Sequence, residues 1–301
     1  MNMPRLILGL VLAAALHQPA LAALKVFASE PQWAALAAEL GGERVTAFSA
    51  TTALQDVHHI EARPSLIARL RTADLVVCTG AELETGWLPV LLRQAGNGRV
   101  QPGTPGYFEA AAHVRLLEVP DSLDRAHGDV HASGNPHLHT DPRRIARVAA
   151  ALAERLSTLD ASSAEHYRAR HERFAQRWRE ALAQWEARAA PLKGVRVVAH
   201  HKDWIYLYEW LGMQPAGTLE PKPGLPPTAA HLAALKAELA RAPARLVIRT
   251  PYQDARAAEW LARETGVRIV VLPYTVGGSK EATDLYGLFT DTVERLLAAL
   301  R

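Results

Sequence analysis

The sequence has one cysteine, no block of five consecutive basic residues, and no apolar run after its first residues that is long enough to cross a membrane. With Cys78 as the only cysteine, no disulfide can form within the chain, and stability must come from an apolar core. The formal net charge is only +3, which argues against nucleic acid as a partner. Cys78 ends the apolar run LVVC, so it is predicted to be buried rather than catalytic.

The first 22 residues have the pattern of a secretory signal peptide. Arg5 precedes an apolar run over residues 6–16, and Ala20-Leu21-Ala22 gives the small residues of a cleavage site. We expect cleavage after Ala22 and export to a bacterial periplasm. This segment has no cysteine to carry a lipid, so a freely diffusing mature chain is expected. Cleavage would remove Arg5 and change the formal charge from +3 to +2.

Short apolar runs alternate with helical patterns in two series, one from Leu24 and one from Val195. This alternation indicates parallel βαβ units, and so an α/β fold with two Rossmann-like lobes. The composition, 49% hydrophobic and 22% charged, is that of a globular protein. The predicted strands are LKVFAS, RVTAF and DLVVCTG in the first series, and VRVVAH, RLVIR and RIVVLP in the second.

One long helix is predicted between the two lobes. Residues 162–190 contain no glycine or proline and repeat apolar residues at helical spacing. Ser162 and Glu165 match a capping box at its start, and Pro191 and Gly194 would end it. At 1.5 Å per residue it would be about 43 Å long, enough to brace both lobes and limit hinge opening. The predicted domains are residues 23–160, the linking helix 161–191, and residues 192–301.

Histidines and carboxylates occur where predicted strands end, which is where ligands bind in open α/β sheets. A single loop histidine is weak support for a metal site. Two imidazole positions in the first lobe, with an imidazole and a carboxylate in the second, would supply the four ligands of tetrahedral zinc. The segments are Asp56-Val57-His58-His59, Asn135-Pro136-His137-Leu138-His139, His200-His201 and Asp284-Leu285-Tyr286.

These segments resemble, in order and over nearly the whole mature chain, the cluster A-I solute-binding proteins of bacterial ABC importers for zinc and manganese. The family's Asp-x-His followed by Pro-Ser is matched at residues 56–65, and its Asn-Pro-His-x-x-x-Asp-Pro at residues 135–142. Tyr206 and Gly212 stand at the family's distances from its third ligand and select His201. The family's last motif, Asp-x-Tyr at the start of the final helix, is matched by Asp284 and Tyr286.

The resemblance implies one ion in a cleft between the lobes, and a periplasmic monomer that delivers it to an ABC permease. Zinc fits three imidazoles and one carboxylate, whereas the manganese members usually carry a carboxylate at the third position. A manganese or iron importer is the alternative within the family. His59 and His200 stay open as replacements for their neighbours, because adjacent side chains on extended backbone point apart. The implied ligands are His58, His137, His201 and Asp284.

The region 121–131 is a short form of the histidine-rich loop found in many zinc members of this family. It resembles the subgroup that works with a periplasmic zinc chaperone, and its His127, Asp129 and His131 are candidates for a secondary capture point. An ordinary surface loop is the other interpretation. His139 stands where many members have an aromatic residue, so it is either a group beside the site or a transient stop for the ion.

Two other functions fit parts of the sequence. His137-x-His139-x-Asp141 resembles the zinc motif of metallo-β-lactamase-type hydrolases, but Pro142 follows where those enzymes have histidine. A hydrolase would also need an open coordination position for water. A receptor for an organic solute, or an adhesin, would fit a two-lobed α/β protein. Neither accounts for all four segments, so no enzymatic activity is expected.

Overall fold

The computed structural model describes residues 23–120 and 131–301. The signal segment, 1–22, and loop residues 121–130 therefore lie outside the described residues. In the first lobe, the predicted strands form within a residue or two of the expected positions. The elements are β1 (Leu24–Ala28), α1 (Pro31–Gly41), β2 (Val45–Ser49), α2 (Pro64–Arg71), β3 (Leu75–Cys78), α3 (Leu88–Ala95), β4 (Tyr107–Glu109) and α4 (Pro142–Leu159).

The long helix and the second lobe complete the chain. Each helix of this lobe follows a strand, and the short helix after β5 ends at Gly212, whose φ of 66° is left-handed as the turn requires. The elements are α5 (Ala164–Ala189), β5 (Arg196–Ala199), α6 (Ile205–Leu211), β6 (Gln214–Thr218), α7 (Ala229–Arg241), β7 (Leu246–Arg249), α8 (Arg256–Thr265), β8 (Arg268–Val271) and α9 (Leu285–Leu300).

Each lobe contains one four-stranded sheet in which every pairing is parallel. The strand orders are β2-β1-β3-β4 and β6-β5-β7-β8. The predicted two-lobed α/β class is therefore confirmed. Because all strands of a sheet run in one direction, the loops that follow them gather at one edge. The candidate segments at residues 56–59 and 200–201 follow β2 and β5 and lie at such edges.

Helix α5 packs against both lobes. Its Arg170 Nε donates to the carbonyl of Glu39 in the first lobe at 2.8 Å, and Trp185 Nε1 donates to Thr290 Oγ1 in α9 at 3.0 Å. Trp178 packs edge-on against Phe289, with ring centroids 5.6 Å apart. The helix has 26 residues, or about 39 Å, close to the expected length. It braces the two lobes, as the sequence predicted.

The start of α5 differs from the prediction. The expected capping box at Ser162 and Glu165 does not form, because Ser162 lies in the short 3-10 turn Ala161–Ser163 before the helix, where its Oγ donates to Asp160 Oδ1 at 2.6 Å. Ser163 occupies the cap position without a side-chain hydrogen bond. The start of α4 agrees with prediction: Asp141 accepts a hydrogen bond from Arg143 N at 2.8 Å, and Pro142 is the first residue.

One apolar core runs through both lobes and the long helix. It joins Val26 and Leu40 of the first lobe to Trp178 of α5 and to Ile248 and Phe289 of the second. Cys78 is fully buried, and burial raises the pKa of its thiol well above the ordinary value. Within the described ranges, no helix is both long enough and apolar enough to cross a membrane.

Candidate metal centre

His58 lies in the loop between β2 and α2, where Asp56 fixes its ring. Asp56 Oδ1 accepts hydrogen bonds from His58 Nδ1 at 2.8 Å and from the His58 backbone N–H at 3.0 Å. Burial raises the pKa of Asp56, but hydrogen bonding and charge from His58 outweigh it and lower that pKa to about 2. An ionised Asp56 holds the proton of His58 on Nδ1, so that Nε2 keeps its lone pair.

His137 lies just before α4 and is 2% exposed. Its backbone N–H donates to Asn135 Oδ1 at 3.0 Å, and its Nδ1 makes a short hydrogen bond with the hydroxyl of Tyr274 from the second lobe. Burial lowers the pKa of His137 well below the usual value, and the neighbouring imidazoles lower it further. A neutral imidazole is the form that binds a metal ion.

His201 follows β5, and Glu220 fixes its ring as Asp56 fixes that of His58. His201 Nδ1 donates to Glu220 Oε2 at 2.7 Å. Burial lowers the pKa of His201, but the hydrogen bond to Glu220 and the charges of Asp203, Glu220 and Asp56 reverse this and raise it overall. The second lobe thus presents one imidazole with a carboxylate behind it.

The three rings converge across the cleft. Their centroids are 5.4 Å apart for His58 and His137, and 5.6 Å from His201 to each of the other two. In all three rings, Nδ1 is hydrogen-bonded to an oxygen, so Nε2 is the nitrogen available to a metal ion. His58 Nε2 is buried with no hydrogen-bond partner within the described part of the chain. An orphaned buried acceptor among imidazoles is the arrangement that a metal ion satisfies.

A fourth imidazole, His131, joins this group from the end of the loop at 121–131. The potential ligand atoms of His58, His131 and His137 all lie within 4.8 Å of one another. The His131 ring centroid is 5.7 Å from that of His58 and 6.3 Å from that of His137. The sequence placed His131 at a secondary capture point, whereas the structure brings it to the main group. His127 and Asp129 lie outside the described residues.

Asp284, the expected fourth ligand, is not brought to the histidines. It is exposed, and its Oδ1 accepts a hydrogen bond from Gly287 N at 2.7 Å, which caps α9. The described residues that line the histidine cavity do not include it. The second lobe contributes Tyr274 instead, through its bond to His137. The Asp-x-Tyr motif does open the last helix, but here its aspartate acts as the N-cap.

The remaining candidate histidines occupy different positions. His59, exposed beside His58, and His200, buried with its Nε2 3.7 Å from Glu220 Oε1, both line the same cavity as His58, His137 and His201. His139 is 1% exposed and hydrogen-bonded through Nε2 to the Tyr274 carbonyl at 3.1 Å. His139 therefore packs in the core behind Tyr274, which does not fit a role as a stop for the ion.

The histidines line a cavity of about 240 Å³. Its wall also includes Asp203, whose pKa burial raises to about 7, and Tyr252 and Gln253 from the loop after β7. Sequence reasoning missed Glu220, Asp203 and Tyr274. Glu220 follows β6 by two residues, and a position just after a strand could have marked it as a site residue. However, β6 contains proline and glycine, so the strand itself was not predicted.

The hydrolase motif is not assembled. His139 faces the core, and Asp141 is fully buried as the cap of α4, where it pairs with Arg143 and Arg144. Of the three motif positions, only His137 reaches the cavity. The donor set that does converge, imidazole nitrogens with oxygens on their far sides, suits Zn²⁺ better than the oxygen-preferring Mn²⁺.

Two parallel-sheet lobes on one long helix, with imidazoles in the cleft between them, define a metal-binding protein of the solute-receptor class. A family model described as ZnuA, zinc-uptake complex component A, periplasmic, matches residues 26–299. The chain therefore belongs to this family.

Curated relatives are zinc uptake proteins by name, and solved structures share the fold. The chain is 28% identical over 269 residues to the high-affinity zinc uptake system protein ZnuA of Paracoccus denitrificans, covering 77% of this chain and 78% of that protein. It is 23% identical over 249 residues to ZnuA of Bacillus subtilis, covering 81% and 76%. A crystal structure of ZnuA superposes with a TM-score of 0.74 at 19% identity, covering 91% of this chain and 99% of that one. A cadmium-bound periplasmic metal-binding protein from Candidatus Liberibacter asiaticus gives 0.76 at 16%, covering 92% and 100%.

Proposed function

We propose that this protein captures Zn²⁺ in the periplasm and delivers it to an ABC permease for import. The observation that carries this proposal is the convergence of three imidazoles, each with Nδ1 bonded to an oxygen so that Nε2 can bind the ion. The relatives described above are zinc uptake proteins by name. Membership of a family of transport components also favours binding over catalysis.

The proposed ligands are His58, His137 and His201, with His131 rather than Asp284 in the fourth position. The potential ligand atoms of His131, His58 and His137 lie within 4.8 Å of one another, a group that does not include His201. Asp284, by contrast, caps α9 outside the cavity. Two neighbouring carboxylates, Asp56 and Glu220, accept hydrogen bonds from imidazole N–H groups and act as outer partners. This arrangement favours zinc over manganese or iron.

The loop that ends at His131 connects the site to its supply of zinc. We propose that His127 and Asp129 pick up the ion, either free or from a periplasmic chaperone, and pass it to His131 and the cavity. The protein acts as a monomer after removal of residues 1–22, and the long helix limits the movement of the lobes when the ion binds. The domains are 23–160, 161–191 and 192–301, as the sequence predicts.

Metal analysis and alanine substitution test this function. Protein purified without added metal should carry about one zinc ion per chain, the number that one tetrahedral site holds. Removing an outer partner of a metal ligand typically costs 10- to 100-fold in affinity, so His58→Ala, His137→Ala or His201→Ala should each cost about a hundredfold or more. His171→Ala, on α5 and outside the cavity, is the matched control. Zinc affinity that survived all three substitutions would rule out this site.

His131→Ala separates the two candidates for the fourth ligand. If His131 completes the coordination, its removal weakens zinc binding while Asp284→Ala leaves the affinity within about twofold, because an exposed helix cap acts on stability rather than on the ion. The opposite result, a large loss for Asp284→Ala and none for His131→Ala, would restore the carboxylate as ligand.

A further inference from the structure

An arginine-lined cavity lies where α4 of the first lobe meets α6 of the second. Its volume is about 310 Å³, and it shares no wall residue with the metal cavity. Apart from Val114, every residue that lines it is charged. These residues are Arg115, Arg143, Arg144, Arg147 and Glu209.

Two of the arginines are held in place by carboxylates. Arg143 Nη2 pairs with Asp141 Oδ2 at 2.9 Å, and Arg144 Nη1 pairs with Glu209 Oε2 at 2.8 Å. Arg144 also pairs with Asp141, and its guanidinium lies over the ring of Tyr206, 4.3 Å from the centroid. Arg143 and Arg144 therefore form a fixed part of the wall, and two carboxylates balance their charge.

The other two arginines carry the surplus charge of the cavity. Arg115 and Arg147 are exposed, and neither forms an ion pair within the part of the chain that the structure describes. Since two carboxylates balance the fixed pair of arginines, the cavity keeps a net charge of +2. The guanidinium group has a fork of N–H donors that matches the oxygens of an oxyanion. The complementary ligand is a small oxyanion with two negative charges.

The wall also offers one donor and one acceptor to such a ligand. Arg144 Nε is buried, and no described residue accepts a hydrogen bond from it. Buried polar atoms are nearly always hydrogen-bonded, so this N–H indicates a missing acceptor. Glu209 pairs with Arg143 and Arg144 through Oε2 alone, which leaves Oε1 to accept from a ligand. A ligand with several acceptor oxygens and one hydroxyl group would satisfy both atoms.

We propose that this cavity is a binding site for hydrogen phosphate, HPO₄²⁻. Its unprotonated oxygens accept hydrogen bonds from Arg115 and Arg147, and its hydroxyl donates to Glu209 Oε1. Sulfate has the same charge and shape but no hydroxyl, so one of its oxygens would face the Glu209 carboxylate with no proton between them. The phosphate of a lipid headgroup is a diester with one negative charge, which matches the wall less well. The site is separate from the proposed zinc function, because the two cavities share no residue.

Isothermal titration calorimetry of the zinc-free protein with sodium phosphate at pH 8 tests the proposal. We expect one phosphate ion to bind per chain. Arg115→Ala and Arg147→Ala should each weaken binding by about tenfold or more, because each removes a charge-assisted hydrogen bond. Arg173→Ala is the matched control, since it makes the same change at an exposed position of α5 outside the cavity. Its phosphate affinity should stay within about twofold of the native value.

Titration with sodium sulfate tests the role of Glu209. Sulfate should bind at least about tenfold more weakly than phosphate, because a site that accepts a hydrogen bond from a hydroxyl rejects the analogue without it. Glu209→Gln should reduce this preference to about threefold or less, since the amide has no negative charge to repel sulfate. An equal affinity of the native protein for the two ions would overturn the assignment to hydrogen phosphate.

Vesicles distinguish the free ion from a lipid headgroup. Sedimentation with phosphatidylglycerol vesicles should capture no more protein than sedimentation with phosphatidylcholine vesicles. Capture by phosphatidylglycerol alone that Arg147→Ala abolishes, without binding of free phosphate, would overturn the proposal in favour of a membrane contact. Absence of phosphate binding, or an equal loss of affinity in Arg173→Ala, would also overturn it. None of these results bears on zinc binding, whose proposed ligands do not line this cavity.

Discussion

At the scale of single residues, the site depends on what lies behind each imidazole. Asp56, Tyr274 and Glu220 each bond to the Nδ1 of one histidine, so the ring orientations are fixed before any ion arrives. Such outer partners orient the ligands and set their basicity. Glu220 also affects the protonation of its histidine, since its hydrogen bond and charge help to raise the pKa of His201.

Glu220→Gln should separate the effect of Glu220 on the orientation of the His201 ring from the effect of its negative charge. At pH 8 we expect zinc affinity to fall by about 10- to 100-fold, the usual effect of losing an outer carboxylate. His201 must lose its proton to bind zinc, and its raised pKa makes affinity fall from near neutral pH downwards. Without Glu220 the pKa of His201 falls, so the decline of affinity should begin at lower pH.

Competition with a fluorescent chelator between pH 5 and 8 measures both effects of Glu220→Gln. Glu264→Gln is the control, because Glu264 is exposed and pairs only with Lys236 at the surface. Unchanged affinity at pH 8, or an unshifted pH profile, would show that Glu220 does not act through His201.

His139 should make the metal-free protein less stable in acid. Burial lowers its pKa, so as pH falls below about 6.5 the unfolded chain takes up a proton that the folded chain resists. The free energy of unfolding should then fall by up to about 1.4 kcal/mol per pH unit for this one group. This loss of stability stops growing once the pH falls below the pKa of His139 in the folded state.

His139→Phe should flatten that dependence, because an aromatic ring can keep the edge-on contacts with Trp33 and Tyr274 without titrating. Urea unfolding at pH 7 and 5.5 measures the change, and His171→Phe on α5 should keep the slope of the native protein. An equal slope in His139→Phe would mean that other groups cause the acid sensitivity.

At the scale of helices and strands, the sequence predicted what local patterns encode. Asp141 and Pro142 predicted the start of α4, and the alternation of apolar runs predicted both sheets. Two of the four edge strands were missed: β4 has only three residues, and β6 contains Pro215 and Gly217, which are tolerated because β6 pairs on one side only. The capping box failed because α5 begins at Ala164, with Ser163 rather than Ser162 in the cap position.

At the metal site, too, the sequence predicted only what local patterns encode. Positions at strand ends and motif spacing were enough to predict that His58, His137 and His201 lie together, but not the contacts between distant segments. Tyr274 is 137 residues from His137, and nothing local in the sequence joins them. Asp284 showed the converse problem, since an aspartate before a helix matches both a ligand motif and an N-cap.

Asp141 should contribute far more to stability than a similar aspartate at the surface. It is fully buried and pairs with Arg143 and Arg144. We expect Asp141→Asn to lower the free energy of unfolding by about 1.5–3 kcal/mol, because it removes the buried charge that accepts hydrogen bonds from both arginines, although Glu209 still pairs with them.

Asp254→Asn is the matched control for Asp141→Asn. Asp254 accepts from the backbone and side chain of Arg256 in the same i to i+2 arrangement, but its side chain is 50% exposed. Its loss should cost less than about 1 kcal/mol. Urea unfolding compares the two, and equal losses would show that burial does not determine the strength of the pair.

At the scale of the whole molecule, α5 and the shared core restrict how the lobes move. The Arg170 and Trp185 contacts join the helix to the first and second lobes, and buried residues continue from one lobe to the other. A further contact, Gln32 N to Thr275 Oγ1 at 3.1 Å, joins the lobes directly. These contacts oppose a wide closure of the lobes when an ion binds.

Small-angle X-ray scattering tests this restriction. We expect the radius of gyration of the zinc-free and zinc-bound protein to agree within about 1 Å, because packed elements resist continuous deformation. Adding zinc to His58→Ala gives the control for non-specific effects of the metal. A clear compaction on zinc binding in the native protein alone would indicate a hinge that α5 does not prevent.

The buried position of Cys78 makes the molecule convenient for spectroscopy. Its thiol is fully covered and has a raised pKa, so it should resist maleimide reagents in the folded state. A cysteine introduced on the surface would then be the one reactive thiol in the chain. Fluorophores or spin labels could be attached to either lobe without first removing a native residue.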